Sequence, residues 1–159
     1  MMHRLAWIVA ALSLFISVPA FTAPGTKVKI SDLNDLDLGN WNFSSMTGND
    51  PVCVYRNDGT NTYQVMATDD STIAPASFAL ENTGRTAQIP YALYWSNTAA
   101  PGTTQLNDGV NSAASGADTS SSNCSGGDTA NFKVSINNSD LAAVPSGTYT
   151  ATVSLTIQP

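Results

Sequence analysis

The clearest pattern lies near the C-terminus, where Thr148 to Ile157 alternates over ten residues. Tyr149, Ala151, Val153, Leu155 and Ile157 fall on one side, Thr and Ser on the other. A period of two puts the sets on opposite faces of a strand, one apolar and one wet. Gln88 to Trp95 repeats the pattern with Ile89, Tyr91, Leu93 and Trp95, and Ala130 to Ile136 with Phe132, Val134 and Ile136. Pro90 has no amide hydrogen for a ladder, so it marks an edge or a strand beginning. Shorter strands are predicted at Lys27–Ile30, Leu36–Leu38, Pro51–Tyr55 and Tyr63–Ala67. Asn57-Asp58-Gly59 supplies the turn between the last two, because these residues tolerate positive φ. The best helical candidate, Ser139–Val144, lasts one turn before Pro145 stops it. Residues 107–128, dominated by Ser, Gly, Ala and Asp, show no period and are expected to form a long surface loop. Strands with one polar face belong to antiparallel sheets packed face to face, so the fold class is all-β, a sandwich of about seven strands.

The N-terminus breaks this pattern. Arg4 precedes an apolar run, Leu5 to Val18, and Val18-Pro19-Ala20 closes with small residues at the −3 and −1 positions of a cleavage site. Residues 1–20 are therefore expected to be a secretory signal cut after Ala20. The run of about 14 residues is short for a transmembrane helix, which needs roughly 20, and no stable membrane span is expected. Residues 21–31 then form an N-terminal extension and residues 32–159 the sandwich domain.

Export changes what the two cysteines mean. In an oxidising compartment the pair is most simply one disulfide, Cys53 to Cys124. The single histidine is His3, inside the leader, so neither Ser-His nor Cys-His machinery is expected in the exported chain. Six Lys and Arg against twelve Asp and Glu, net charge −6, leave no basic surface to track a phosphate backbone, and no nucleic-acid partner is expected. Glu81 is the only glutamate. Asp69 and Asp70 are adjacent and would point to opposite faces, while Asp35 and Asp37 share a face directed to solvent. No catalytic pair emerges, and the chain is expected not to be an enzyme. Asn57, Asp58, Asp108, Asp118 and Asp128 offer oxygens to calcium, but without EF-hand spacing, and no cofactor or metal is expected. Tyr94 and Trp95 are candidates for a ligand surface, but the face carrying Tyr91 and Trp95 is expected first to pack in the core, as are Trp41 and Tyr55.

Several of these segments, in order, resemble the spore coat protein U domain family, which includes pilin subunits of archaic chaperone–usher systems. Leu36-Asp-Leu-Gly-Asn-Trp41 is similar to its L-x-F-G-x-Y segment, and Pro51-Val-Cys-Val-Tyr55 with Gly59 and Tyr63-Gln-Val65 to its strand–Cys–turn–Y-x-V hairpin. Ile89-Pro-Tyr-Ala-Leu-Tyr94 is like its L-x-Y-x-L-Y strand, and Val144-Pro-Ser-Gly-Thr-Tyr149 through Ile157 like its V-P-A-G-x-Y ending.

The resemblance implies an immunoglobulin-like sandwich lacking its final strand. A periplasmic pilus chaperone supplies that strand first, and the N-terminal extension of the next pilin subunit replaces it at an outer-membrane usher. The implied function is a non-enzymatic fimbrial subunit or adhesin, in the periplasm in transit and then on the cell surface. Tyr149, Val153, Leu155 and Ile157 would line the acceptor groove, and Val28 and Ile30 would be donor-strand residues. The chain departs from the family in two places: no cysteine precedes Leu36, and the alternating run in residues 21–31 is short. Lys27 to Ser31 extends only about 17 Å, which fits a short donor, a subunit that cannot donate and sits at one end of an assembly, or a soluble relative. The alternative is a self-sufficient secreted sandwich binding a carbohydrate or other surface ligand through Tyr91, Tyr94, Trp95 or the 107–129 loop.

Overall fold

Alternating Thr/Ser and Val/Ile/Leu/aromatic positions favour extended backbone because branched and aromatic side chains pack well on a pleated surface. The structure, a computed structural model, describes residues 8–15, 25–71 and 77–159. Its strands are β1 (Ile8–Phe15), β2 (Val28–Ser31), β3 (Leu36–Asn40), β4 (Met46–Arg56), β5 (Tyr63–Asp69) and β6 (Ala79–Asn82). They continue with β7 (Gln88–Pro90), β8 (Ala92–Ser96), β9 (Thr104–Leu106), β10 (Ser112–Ala114), β11 (Ala130–Ile136) and β12 (Gly147–Gln158). The one helix among the described residues, α1, is Asn138–Ala142; it buries Leu141 and ends before Pro145.

Two sheets pack face to face, as expected of an all-β sandwich. One runs β10–β5–β12–β1–β3, with β6 paired to both β12 and β7; the other runs β2–β4–β11–β8–β9. Their inner faces share one core, in which Val65, Ala67, Leu80, Tyr149, Val153 and Leu155 belong to the first sheet, and Val52, Val54, Leu93, Trp95, Phe132 and Val134 to the second. The predicted inward sets of β8, β11 and β12 are all buried except Ile157, which packs at the core's margin. Pro90 ends β7 opposite Ala79, and Tyr91 resumes the ladder by donating its N–H to Phe78 O.

Among the described residues the strands number twelve rather than about seven, because the sequence signal missed short or polar ones and read β1 as part of a leader. β4 starts at Met46, five residues before the predicted strand, since pairing with β11 from Met46 to Val52 overrides the turn-like Gly48-Asn49-Asp50. Asp50 is buried there, where it accepts hydrogen bonds from the Asn34 N–H (2.7 Å) and Nδ2 (3.1 Å). The 107–128 segment is not a free loop. β10 pairs with β5, Asp108 and Asp118 bridge to Ala67 and Tyr55, and Ala114, Ala117 and Cys124 are buried. A disulfide between Cys53 and Cys124 ties its far end to β4, and Thr129 Oγ1 reinforces that tie by donating to Val54 O and accepting from Val54 N–H.

The stretch read as the apolar centre of a signal forms β1, an interior strand. Ile8 to Phe15 pairs in parallel with Gly147–Ser154 of β12, and Val9 to Leu12 pairs antiparallel with Leu36–Asn40 of β3 across a register shift between Ala10 and Ala11. The cleavage point after Ala20 and residues 21–24 lie outside the described residues.

Candidate functional site: a strand slot between β12 and β3

The site is built around β12. Its first half is flanked on one edge by β6, through Tyr149 and Thr150, and its second half by β5, from Val153 to Gln158. The opposite edge, Gly147 to Ser154, pairs with β1 alone among the described strands. The far wall is β3, whose only sheet partner among the described residues is also β1. What holds β3 to the domain otherwise is packing. Leu36 and Leu38 lie against the core, and a side chain at Gly48 would collide with Leu38, so β3 crosses β4 closely. Asp35 and Asp37 are exposed, as expected, and Asp37 Oδ1 accepts the Gly39 N–H at 2.8 Å.

This geometry has a direct chemical consequence. Without β1, β12 would present eight residues of open backbone edge and β3 would lose its ladder, leaving a slot one strand wide above the core. Unpaired backbone groups over apolar surface are costly, so β12 and β3 need an extended backbone between them to satisfy their ladders. Of the groove residues expected from sequence, Tyr149 and Val153 lie within the β1 register, while Leu155 and Ile157 lie beyond Ser154, paired with β5. The Tyr149 hydroxyl donates to Pro145 O at 2.9 Å, and burial raises its pKa.

The donor candidates are placed elsewhere. Val28 and Ile30 sit in β2, which pairs antiparallel with Arg56–Cys53 of β4, and Ile30 is 6% exposed within the core. Residues 28–31 are thus part of their own subunit's sheet rather than a free extension. The aromatic candidates separate too. Trp95 is 2% exposed and donates its indole N–H to Tyr63 Oη at 3.1 Å, so it is a core residue and offers no ligand surface. Tyr94 is half-buried on the outer face, with Lys133 Nζ 4.5 Å from its ring centroid. Tyr91 is buried and stacks on Phe78 at 5.5 Å.

Acidic residues are distributed as hydrogen-bond acceptors rather than gathered. Asp58 pairs with Arg56 at 2.7 Å, which holds its carboxyl below the usual range. The Ser120 and Ser121 amides lower Asp118. Asp69 turns inward and accepts from Ala79 N–H (2.6 Å) and Ser71 N–H (2.9 Å), while desolvation pushes its pKa up to about 6. Asp70 points outward and accepts from Thr152 N–H, bearing out the opposite-face reading. Among the described residues no group of three or more His, Cys, Asp or Glu side chains is placed to hold a metal ion.

In comparisons with known proteins, no family model and no curated sequence matches the chain. No helix among the described residues is long and apolar enough to cross a membrane. Sequence reasoning missed two features of functional interest: the strand role of Ile8–Phe15 and an exposed phenylalanine, Phe43, in the turn after β3. An interior strand of apolar residues and a signal's apolar segment share one composition, so periodicity alone could not separate them.

Proposed function

We propose that the chain is a non-enzymatic fimbrial subunit or adhesin whose task is to accept a strand. One observation carries this reading: an apolar segment outside the sandwich domain, Ile8–Phe15, fills a one-strand slot between β12 and β3. When the leader is removed on export, that slot opens, and the bare edge demands a substitute. A periplasmic pilus chaperone would supply it first, and another pilin subunit would replace it at the outer-membrane usher, ending in a surface fimbrium. Backbone pairing gives affinity in such strand addition, and alternate side-chain pockets give specificity.

The placement of β2 refines the subunit's position. Val28 and Ile30 are occupied in their own sheet, which favours a subunit that accepts a strand without giving one and therefore sits at one end of an assembly. The alternative of a self-sufficient ligand-binding sandwich loses its main aromatic candidate, because Trp95 is in the core.

The test is to export the chain with and without the pilus chaperone of its own system. A leaderless subunit recovered only as a one-to-one chaperone complex is the expected result. A leaderless monomer that accumulates, folded and protease-resistant, without any chaperone would overturn the proposal.

A further inference from the structure

β12 changes partner along the edge that faces away from the slot. Tyr149 and Thr150 pair with Asn82 and Glu81 of β6, and Val153 to Gln158 pair with Asp69 to Gln64 of β5. Ala151 and Thr152 fall between, where neither β5 nor β6 supplies a register partner. This step lies near the middle of the slot edge, since β1 pairs with β12 from Gly147 to Ser154. An unpaired amide here would leave β12 least constrained where an incoming strand needs it straight.

Asp70 closes the step by itself. Its backbone N–H donates to Thr152 O at 3.1 Å, and its side-chain Oδ1 accepts the Thr152 N–H at 2.9 Å. In an ordinary antiparallel pair the second bond would go to a backbone carbonyl. The carboxylate stands in for that carbonyl, so the chain leaves the sheet after β5 without orphaning Thr152. A hydrogen bond to an ionised acceptor is also stronger than one between neutral groups. Asp70 Oδ2 faces the Arg85 guanidinium at 3.9 Å, and Arg85 Nε reaches Glu81 Oε2 at 3.2 Å. Arg85 sits at φ 52° in the turn after β6, its N–H donating to Asn82 O at 2.8 Å. Asp70 and Arg85 are both half-exposed, so their ion pair orients the carboxylate more than it stabilises the fold.

Successive residues of a strand turn their backbone groups to opposite edges. Thr152 turns its N–H and C=O to Asp70, so Ala151 and Val153 on either side turn theirs to the slot. We propose that Asp70 is a positioning residue for strand acceptance, fixing the Thr152 backbone so that Ala151 and Val153 offer theirs to the incoming strand. Asp70 stands on the opposite edge from that strand and acts through Thr152. This role rests on the strand slot proposed above and adds the group that holds its edge in place from behind.

The test is amide hydrogen exchange of the full chain, in which β1 fills the slot, comparing Asp70→Ala, Asp70→Asn and Tyr63→Phe with the parent. The readout is the exchange rate of the Ala151 and Val153 amides relative to Phe132 and Val134 of β11, in the other sheet, so a general loss of stability cancels. Asp70→Ala is expected to raise this ratio at least about tenfold. Asp70→Asn keeps the Oδ1 acceptor and is expected to restore most of the protection. Tyr63→Phe, which loses stability away from the slot, is expected to leave the ratio at the parent's value. The role of Asp70 is overturned if Asp70→Ala leaves the ratio unchanged, if Tyr63→Phe shifts it as far, or if Asp70→Asn behaves as Asp70→Ala. Ala151 and Val153 amides that exchange freely in the parent would overturn the strand slot itself, and this role with it.

Discussion

Reducing the Cys53–Cys124 bridge should cost a calculable share of stability. The cysteines are separated by 71 positions, so the bridge closes a long loop in the unfolded chain, and the entropy of closing it amounts to about 4 kcal/mol at 25 °C. The folded state should lose little when the bridge opens. Asp118 N–H still donates to Val54 O and Arg56 N–H to Asp118 O, both at 2.8 Å, Thr129 N–H to Val52 O at 3.1 Å, and Thr129 Oγ1 still caps Val54. The cost therefore falls on the unfolded state. For a domain of this size each kcal/mol moves the melting temperature by roughly 3 °C, so a fall of about 12 °C is expected. Circular dichroism melts of the full chain with and without a phosphine reductant provide the assay, with thiol titration confirming reduction. A fall under about 3 °C would refute the reasoning, because it would mean that the unfolded chain gains almost no freedom when the bridge opens.

Other sites give sharper, smaller tests. Asp69 has its pKa raised to about 6 from 3.8, so the folded state binds its proton more tightly than the unfolded state and this group adds stability as pH falls through that window. The stability of the parent relative to Asp69→Asn should therefore rise between pH 7 and pH 4 in parallel urea titrations; a flat difference contradicts the burial of Asp69. Tyr63→Phe leaves the buried indole N–H of Trp95 without its acceptor and should cost about 1–3 kcal/mol by urea unfolding. A Cβ at Gly102 would lie 2.5 Å from Trp95 O and 2.8 Å from Ser96 Cα, so Gly102→Ala should lose about 1–3 kcal/mol, whereas Gly126→Ala, with open space around it, should melt like the parent.

What the sequence revealed follows from which forces leave a periodic trace. β8, β11 and β12 alternate because each has one face in the core, and their burial follows the predicted faces apart from Ile157, which is only half-buried, and Asn131 and Thr156, which are buried on the other face. The same argument already put Trp95 on the core side, which is why it fails as a ligand surface. β6, β9 and β10 have three or four residues each, too few for a period to register, and they form because neighbouring strands offer them partners. Met46–Asp50 is similar: its polar composition suggests a turn, and only the ladder to β11 makes it a strand. The slot was half legible. The alternation of β12 showed only which of its faces is buried; an edge in need of a partner was what the family resemblance implied, and nothing in Ile8–Phe15 marks it as a strand rather than a leader. Phe43 was not legible, because Asn42-Phe43-Ser44 carries no sign of a positive φ.

The central claim is that β12 and β3 flank a slot meant for a strand from outside the sandwich domain. Hydrogen exchange of the Tyr149, Ala151 and Val153 amides, which alternate with the Thr152 amide held by Asp70 on the opposite edge, tests it most directly. It is measured on residues 21–159 freshly released from the chaperone complex, alone and with a peptide of the Ile8–Phe15 sequence carrying solubilising lysines. The account predicts fast exchange in this edge alone, strong protection with the peptide, and none with a scrambled peptide of equal composition. Amides already protected in residues 21–159 alone, or left unprotected by the matching peptide, would contradict it.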